Sequence, residues 1–270
     1  MKITFLGGGN MANALIGGML KHGFAATDIT VVDPGSEARE RLQQTCGVRC
    51  VGAVSELADA GDLLVLAVKP QQMREACAPL VGKLGSALVV SIAAGLDLAT
   101  LSRFLGGHRR IVRCMPNTPA LIGAGITGLY ALPEVGAAGR AAADRMLAAV
   151  GSTVWIDDEA RMDGVTALSG SGPAYVFLFI EALQQAAAEL GLTPEQGRQL
   201  AIETVQGAAA LAARSSEPAA ALRERVTSKG GTTEAALRVM MEAGVKAGIV
   251  AGVKAAEARG RELGKLLGGD

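Results

Sequence analysis

The stretch Lys2-Ile-Thr-Phe-Leu-Gly7-Gly-Gly9-Asn-Met-Ala12 decides the fold, because an apolar run stops at a glycine turn that leads straight into a helical pattern. This strand–turn–helix order is typical of a dinucleotide-binding domain. Gly7 permits the tight turn, Gly9 lets a pyrophosphate approach the backbone, and Ala12 packs the helix against its strand. The N–H groups at the helix N-terminus favour phosphate. A tight turn with a purely structural role is the alternative.

Composition and charge limit the classes of function. The chain has 270 residues, enough for two domains, and 26 basic and 26 acidic residues, so no net charge attracts nucleic acid or an anionic membrane. Aromatic residues make up 3%, which leaves little for base stacking. The longest apolar runs, Leu63–Val68 and Ala174–Ile180, are too short to span a bilayer, and no leader precedes the first strand. These features predict a small-molecule partner, with neither nucleic acid nor membrane.

The four cysteines show neither paired nor metal-ligand spacing, which predicts reduced thiols in a cytoplasmic protein and no metal site. The two histidines, His22 and His108, lie in unrelated segments, so a zinc site or a Ser-His-Asp triad is not expected.

The first half of the chain alternates strands and helices. Helices are predicted over Met11–His22 and Glu37–Gln44. Strands are predicted at Ile3–Leu6, Ile29–Asp33, Leu63–Val68, Ala87–Ile92, Ile111–Cys114, Gly128–Leu132 and Val150–Ile156. Near-continuous apolar strands separated by helices predict an α/β domain with a parallel sheet covered on both faces.

From Asp157 onward the sequence is alanine-rich with helical periodicity. Ser171-Gly-Pro173 opens one helix, and Thr193-Pro-Glu-Gln196 is a capping box with proline at the first helical position. The last helix is predicted to contain glycines 244, 248 and 252, which allow close helix–helix approach. We therefore predict a dinucleotide-binding domain over residues 1–156 and an all-α substrate and dimerisation domain over 157–270, small enough to complete its core with a partner chain.

Cofactor contacts are predicted at the carboxyl ends of the strands. Asp33 ends the second strand, where an acidic side chain accepts hydrogen bonds from the adenosine ribose and disfavours a 2′-phosphate, which alone predicts NAD over NADP. Arg39 and Arg41 either contact a phosphate or are solvated surface residues. The loops Ala67–Pro70 and Ser91–Gly95 also follow parallel strands, and their small side chains leave room for a flat ring.

Three further segments have the composition of binding loops. In the rigid turn Arg113–Pro119, Asn117 either orients the nicotinamide or a substrate, or serves the turn itself. Ser169–Tyr175 and Thr227–Glu234 each open a helix with glycines and hydroxyls. The latter is the better anion site, since its free backbone and helix N-terminus suit a small carboxylate. Simple N-capping by one of its threonines is the alternative.

The helical half contains neither histidine nor cysteine, so its chemistry needs only a weak proton donor. An imine fits, because its protonated form accepts hydride directly, whereas a ketone needs a stronger acid. One rival is a 3-hydroxyacid dehydrogenase using a helical-domain lysine: Lys229, Lys246 or Lys254. Another is a non-catalytic dinucleotide sensor, which leaves the loop Ser228–Thr233 without a purpose.

Six motifs, in order, give the chain its resemblance to the pyrroline-5-carboxylate reductase family, from Met1 to about Leu267. They are Gly7–Ala12, Ala67–Pro70, Ser91–Gly95, Arg113–Pro119, Leu168–Tyr175 and Thr227–Thr233. The resemblance implies a Rossmann domain, a helical domain that dimerises by interlocking helices, a site at the subunit junction, and a ring of dimers. It also implies reduction of 1-pyrroline-5-carboxylate, a cyclic imino acid, to L-proline, with NADP(H) as cofactor and NAD(H) as a second one.

The motifs described above and the resemblance together imply the following site residues. The cofactor-binding candidates are Leu6, Gly7, Gly8, Gly9, Asn10, Met11, Asp33, Ala67, Val68, Lys69, Pro70, Ile92, Ala93, Ala94 and Asn117. The substrate-binding candidates are Gly230, Gly231, Thr232, Glu159 and Ser171. Thr233 resembles the family hydroxyl that bonds the ring nitrogen and relays a proton, and Ser228, in the carboxylate site, is the second catalytic candidate.

The chain departs from the family pattern at two positions. Val54 stands where some relatives carry an asparagine on the adenosine side. Asp33 stands where NADPH-preferring relatives carry small polar or basic residues. Both departures lie on the adenosine side of the cofactor, so the resemblance leaves the choice between NADPH and NADH open.

Overall fold

The structure is a computed structural model that describes residues 1–269. Within that range, eight strands form one sheet in the order β3-β2-β1-β4-β5-β6-β7-β8. Their bounds are β1 (Ile3–Leu6), β2 (Ile29–Val32), β3 (Arg49–Val51), β4 (Leu63–Leu66), β5 (Leu88–Ser91), β6 (Ile111–Met115), β7 (Gly125–Ala131) and β8 (Gly151–Trp155). The order reverses between β1 and β4, the position at which open α/β sheets bind ligands.

The sheet is mostly parallel, which confirms the predicted fold class. The expectation of a purely parallel sheet is wrong at one place, because β6 and β7 pair antiparallel, with Val112 opposite Ala131 and Met115 opposite Gly128. The connection between these strands spans residues 116–124. A parallel crossover needs a dozen or more residues, so this shorter loop reverses the chain instead.

Helices and short turns follow the strands of the sheet. The α-helices of this part are α1 (Asn10–Lys21), α2 (Ser36–Cys46), α3 (Met73–Cys77), α4 (Leu98–Phe104) and α5 (Gly136–Leu147). Alternate residues of one strand belong to different buried clusters: Phe5 packs in one and Leu6 in the other. A sheet buried on both faces explains why its strands read as continuous apolar runs.

The end of the sheet carries the chain's single tryptophan, Trp155. Its Nε1–H donates to Asp144 Oδ2 at 2.8 Å, and the Arg140 guanidinium lies 4.5 Å from the ring centroid. Both partners belong to α5, so the indole links β8 to that helix.

After Trp155 the described chain contains helices and no strand. The elements are α6 (Met162–Val165), a π-helical turn (Thr166–Gly170), α7 (Gly172–Glu189), α8 (Pro194–Arg214), α9 (Ala219–Arg225), α10 (Thr232–Glu242) and α11 (Val245–Gly268). The predicted capping box is confirmed, since Gln196 N–H donates to Thr193 Oγ1 at 3.3 Å and Thr193 N–H donates to Gln196 Oε1 at 2.9 Å. The placement of Gly244 inside the last helix is wrong, because its φ of +73° separates α10 from α11.

The chain forms two compact units, one of Met1–Ser171 with the residues from Ala255 onward, the other of Gly172–Lys254. Helix α11 therefore begins in the second unit and ends in the first. The predicted domain boundary between residues 156 and 157 lies where strands give way to helices. The division of the chain into two domains at this point stays a prediction. The compact units divide later, because α6 packs against the sheet: a Cβ built on Gly128 would lie 2.5 Å from Val165 Cγ1.

Helix α7 exposes large apolar side chains, with Phe177 at 64% and Leu178 at 66% exposure. The helical stretch Glu159–Glu189 is long and apolar enough, by length and composition alone, to cross a membrane, and 6% of its most apolar window is buried. The uninterrupted run Ala174–Ile180 is itself short, and the helix meets this criterion only together with the residues on either side of it. A single helix of this kind is weak evidence for a membrane, since a protein interface exposes the same kind of face.

Candidate active site

The glycine turn after β1 has the shape of a pyrophosphate cradle. Gly7 has φ of +103°, and a Cβ there would lie 2.7 Å from Ala67 O, so only glycine fits. A Cβ on Gly9 would meet no atom within 4 Å. Gly9 is the N-cap of α1, and no side chain in the described part of the chain caps this helix. The N–H groups of its first turn are therefore available to an anion, and the cradle fits a dinucleotide.

The structure brings three predicted cofactor segments to one edge of the sheet. Leu6–Met11, Ala67–Pro70 and Ile92–Ala94 follow the neighbouring strands β1, β4 and β5. The N–H of Ala67 donates to Leu6 O at 2.8 Å, which continues the strand pairing into the loops. The carboxyl ends of parallel strands form the ligand crevice of this architecture.

Asp33 joins the end of β2 to the glycine turn. Its Oδ2 accepts from Gly8 N–H at 2.7 Å, and its Oδ1 accepts from Gly35 N–H at 2.8 Å. Arg39 Nη1 donates to Asp33 O at 2.6 Å, and Arg41 Nη2 donates to Gly8 O at 2.9 Å. Both arginines thus have backbone partners at this corner, although Arg41 is exposed, and their role toward a phosphate stays a prediction.

Asn117 is 8% exposed and uses both ends of its amide. Its Nδ2 donates to Ser169 O at 3.1 Å, and its Oδ1 accepts from Ile126 N–H at 3.0 Å. These contacts agree with the alternative that Asn117 serves the turn, and they tie the start of β7 to the π-helical turn. Its role toward the nicotinamide stays a prediction.

A buried ion-pair cluster lies between the sheet and α6. Arg113, with 7% of its side chain exposed, donates to Glu159 Oε1 at 3.3 Å and to Asp163 Oδ1 at 3.0 Å. Glu159 Oε1 also accepts from Leu98 N–H at 2.7 Å. Burial raises the pKa of Glu159, while the contacts to Leu98 and Arg113 oppose that shift. The Oε2 atom of Glu159 has no hydrogen bond within residues 1–269.

In the predicted carboxylate loop, two backbone donors bind groups of the loop itself. Gly230, with φ of +74°, donates its N–H to Glu234 Oε2 at 2.6 Å. Gly231 donates its N–H to Ser228 O at 3.0 Å. Both N–H groups thus have partners within the loop, and the role of the Gly230-Gly231 backbone toward a carboxylate stays a prediction. Glu234 is not among the site residues predicted from sequence, although glutamate at the third helical position often reaches back to a helix start.

The donors that remain open belong to the next two residues. Gly231 is the N-cap of α10, and no side-chain hydrogen bond caps this helix within the described residues. The alternative of simple N-capping by a threonine is therefore wrong. The N–H groups of Thr232 and Thr233 lie in the first turn, where an α-helix provides no partner. With their hydroxyls and that of Ser228, they form a cluster of donors at a helix N-terminus, which suits a carboxylate.

The remaining candidates have simple surroundings. Ser171 is half-buried, and its N–H donates to Thr166 O at 2.8 Å in the π-helical turn. Val54 is half-buried and packs against the sheet core, consistent with the loss of a polar contact there. The three lysines considered for alcohol chemistry are exposed: Lys229, Lys246 and Lys254.

A sheet with a glycine cradle for pyrophosphate, followed by helices with an open anion-binding start, defines the class of two-part dinucleotide-dependent oxidoreductases. The family profile for pyrroline-5-carboxylate reductase dimerisation matches residues 159–263, and the profile for coenzyme F420-dependent NADP oxidoreductase matches residues 2–95. The chain is 45% identical over 268 residues to pyrroline-5-carboxylate reductase of Pseudomonas aeruginosa, covering 99% of this chain and 98% of the relative. The chain belongs to the pyrroline-5-carboxylate reductase family.

Solved structures give the same result. Pyrroline-5-carboxylate reductase from Coxiella burnetii is similar with a TM-score of 0.90 and 38% identity, covering 97% of this chain and 98% of the other. Pyrroline carboxylate reductase from Plasmodium falciparum, solved with NADP bound, is similar with a TM-score of 0.88 and 29% identity, covering 98% of both chains. The Rossmann-type sheet and the helical dimerisation region are thus the fold of this family.

Proposed function

We propose that this chain reduces 1-pyrroline-5-carboxylate to L-proline, the last step of proline synthesis, with NADP(H) as cofactor and NAD(H) as a second one. The observation that carries this function is 45% identity along the full chain, in a molecule that retains an open phosphate cradle at Gly9. The residue roles that follow rest on the geometry of each compact unit.

The sheet unit holds the cofactor. The turn Gly7–Met11 and the N-terminus of α1 bind the pyrophosphate. Asp33 lies at the adenosine ribose, and the neighbouring Arg39 and Arg41 offset its charge, which supports acceptance of a 2′-phosphate. The loops after β4 and β5 line the nicotinamide side. When bound, the reduced nicotinamide supplies the hydride.

The start of α10 holds the substrate. The N–H groups of Thr232 and Thr233, with the Ser228 hydroxyl, bind the carboxylate. The Thr233 hydroxyl bonds the ring nitrogen and relays a proton, with Ser228 as the second hydroxyl. On the sheet unit, Ser171 and Glu159 are further substrate-binding candidates.

In the reaction, the ring nitrogen takes up the proton that the Thr233 hydroxyl relays, C5 of the resulting iminium gains the hydride, and the nitrogen becomes the amine of proline. The chain supplies proximity, orientation and a carboxylate anchor, and a strong acid is not needed.

The test measures the oxidation of NADPH and of NADH, side by side, by the purified chain in the presence of pyrroline-5-carboxylate. Formation of proline establishes the reaction, and the ratio of rates gives the cofactor preference. If the chain is folded and binds a cofactor but oxidises neither NADPH nor NADH, the substrate assignment is overturned and a dinucleotide sensor is favoured. Oxidation of small 3-hydroxyacids, lost when Lys229, Lys246 or Lys254 is replaced, supports the dehydrogenase instead.

We propose further that dimers assemble into a ring in the cytoplasm, without nucleic-acid or membrane partners. The dimerisation profile over residues 159–263 and the exposed apolar face of α7 support the dimer. The four free cysteines, Cys46, Cys50, Cys77 and Cys114, agree with a reducing compartment. Sedimentation at several concentrations tests the assembly: a mass of two chains throughout contradicts the ring, and a monomer with full activity contradicts the dimer.

A further inference from the structure

We infer that the C-terminal end of α11 positions the loop after β5, and thereby the cofactor. We call residues Gly264–Gly269 the C-terminal brace and residues Ile92–Asp97 the β5 loop. The inference rests on the proposed cofactor role of Ile92–Ala94.

The brace and the β5 loop touch through their backbones. A Cβ built on Gly264 would lie 2.6 Å from Gly95 O, so this helical position requires glycine. Gly95 itself has φ of +78°, and a Cβ there would lie 3.6 Å from Gly264 N. Because no side chain lies between the two glycines, a shift of the helix end transmits directly to the loop backbone.

Two arginines hold the brace in place. Arg103 Nη2 donates to Gly268 O, and Arg74 Nη2 donates to Gly269 O at 2.9 Å. Both guanidiniums also lie over the Phe104 ring, with centroid distances of 5.0 Å for Arg74 and 5.7 Å for Arg103. Cations at the C-terminal end of a helix also interact favourably with its dipole. Helices α3 and α4 thus fix the position of the brace.

The two ends of the β5 loop are held separately. At its start, Ile92 N–H donates to Leu66 O at 3.1 Å. At its end, Asp97 Oδ1 accepts from Thr100 N–H at 2.8 Å, and Leu98 N–H donates to Glu159. Gly95 lies between these anchors, and the brace packs on it there. The brace therefore supports the middle of the loop, next to the residues proposed to contact the cofactor.

A pair of alanine variants on α11 tests this support. Gly264→Ala places a methyl group against Gly95 O, whereas a Cβ at Gly260 would meet only Asp163, with Cβ at 3.7 Å and both Cγ and Oδ1 at 3.9 Å, which are ordinary contacts. Both changes raise helix propensity equally, so a difference in NADPH affinity between the two variants reports the contact of residue 264 with the loop. We expect Gly264→Ala to weaken NADPH binding about tenfold. Gly260→Ala leaves NADPH binding unchanged, and in both variants the KM for pyrroline-5-carboxylate stays close to that of the parent.

A chain that ends at Leu263 removes the brace altogether and serves as the second variant. NADPH affinity is measured by calorimetry, which needs no turnover and therefore does not depend on the substrate assignment. Weakened NADPH binding in the truncated chain, with a retained thermal midpoint, supports the brace. NADPH binding equal to that of the parent in both the truncated chain and Gly264→Ala overturns it. Failure of the parent chain to reduce pyrroline-5-carboxylate would instead overturn the proposed function.

Discussion

Asp33 accepts a hydrogen bond from the backbone N–H of Gly8 at 2.7 Å, so the residue at the proposed ribose site also fixes the phosphate turn. Its second oxygen accepts from Gly35 N–H at 2.8 Å. One carboxylate therefore has two tasks, holding the loop and discriminating against a 2′-phosphate. These tasks are partly separable, because an amide keeps one acceptor oxygen, and with it one of the two loop contacts, but loses the charge.

Replacing Asp33 with asparagine is expected to shift cofactor preference. Without the negative charge, kcat/KM for NADPH rises about tenfold relative to that for NADH. Steady-state kinetics with both cofactors measures the ratio. Asp33→Ala is the control, since it also removes the acceptor oxygens and therefore weakens the binding of both cofactors. An unchanged ratio in Asp33→Asn would remove Asp33 from cofactor discrimination.

Two glycines of the phosphate turn should respond differently to the same substitution. Gly7→Ala lowers the free energy of unfolding by about 1–3 kcal/mol, because φ is positive and the methyl group meets Ala67 O. Gly9→Ala leaves stability nearly unchanged but weakens NADPH binding, since its Cβ enters the open space of the cradle. Denaturant unfolding and NADPH titration measure the two effects. Equal stability of the two variants would contradict the geometry.

Thr233→Ala is expected to lower kcat about 100-fold, the loss typical of a proton-transfer group. NADPH binding should change little, and Thr233→Ser should restore most of the turnover because it keeps the hydroxyl. Turnover and cofactor affinity are measured separately. Unchanged turnover in Thr233→Ala removes this residue from the mechanism.

Glu234 holds the left-handed Gly230 in place beside the proposed carboxylate site. Glu234→Ala frees that glycine and is expected to raise the KM for pyrroline-5-carboxylate about tenfold with kcat nearly retained. Glu234→Gln keeps an acceptor and removes a negative charge near the substrate carboxylate, so its KM should equal or fall below that of the parent. A KM raised equally in both variants would show that the charge of Glu234, not its position, is what matters.

His108 makes stability depend on pH. Its Nε2 lies 3.0 Å from Ala87 O, and burial lowers its pKa from 6.5. As pH falls below about 6.5, the unfolded chain protonates this residue first, so the free energy of unfolding falls between 6.5 and the lowered pKa. His108→Gln should lack this part of the decline. Denaturant unfolding at about pH 7 and pH 5 compares the two chains, and identical slopes would exclude His108 as the cause.

The central strands could be predicted from sequence because burial on both faces makes them continuously apolar. Predicted and observed bounds of β1 agree, and those of β4 and β5 differ by one or two residues at an end. Strand β3, at Arg49–Val51, was missed because a three-residue edge strand has no such run. The antiparallel direction of β7 depends on the path of the preceding loop, which hydrophobic periodicity does not encode.

The candidate site was predictable where the backbone conformation requires one residue type. Gly7 is an example, because its conformation excludes residues other than glycine. Contacts between distant positions were not predictable. The donation from Arg74 to Gly269 O joins residues 195 positions apart, and the one from Asn117 to Ser169 O joins residues 52 apart. The local hydrogen bond from Gly230 N–H to Glu234 could have been predicted from sequence, because glutamate is common at the third position of a helix.

Trp155 gives the sheet unit an intrinsic optical label. It is the single tryptophan of the chain, and its indole bonds to Asp144 and stacks with Arg140, all within the same compact unit. Residues 172–254 contain one tyrosine and no tryptophan, but they are rich in helix. Indole emission therefore reports the melting of the sheet unit, while helical circular dichroism also records the other, and the two signals together distinguish one cooperative transition from two.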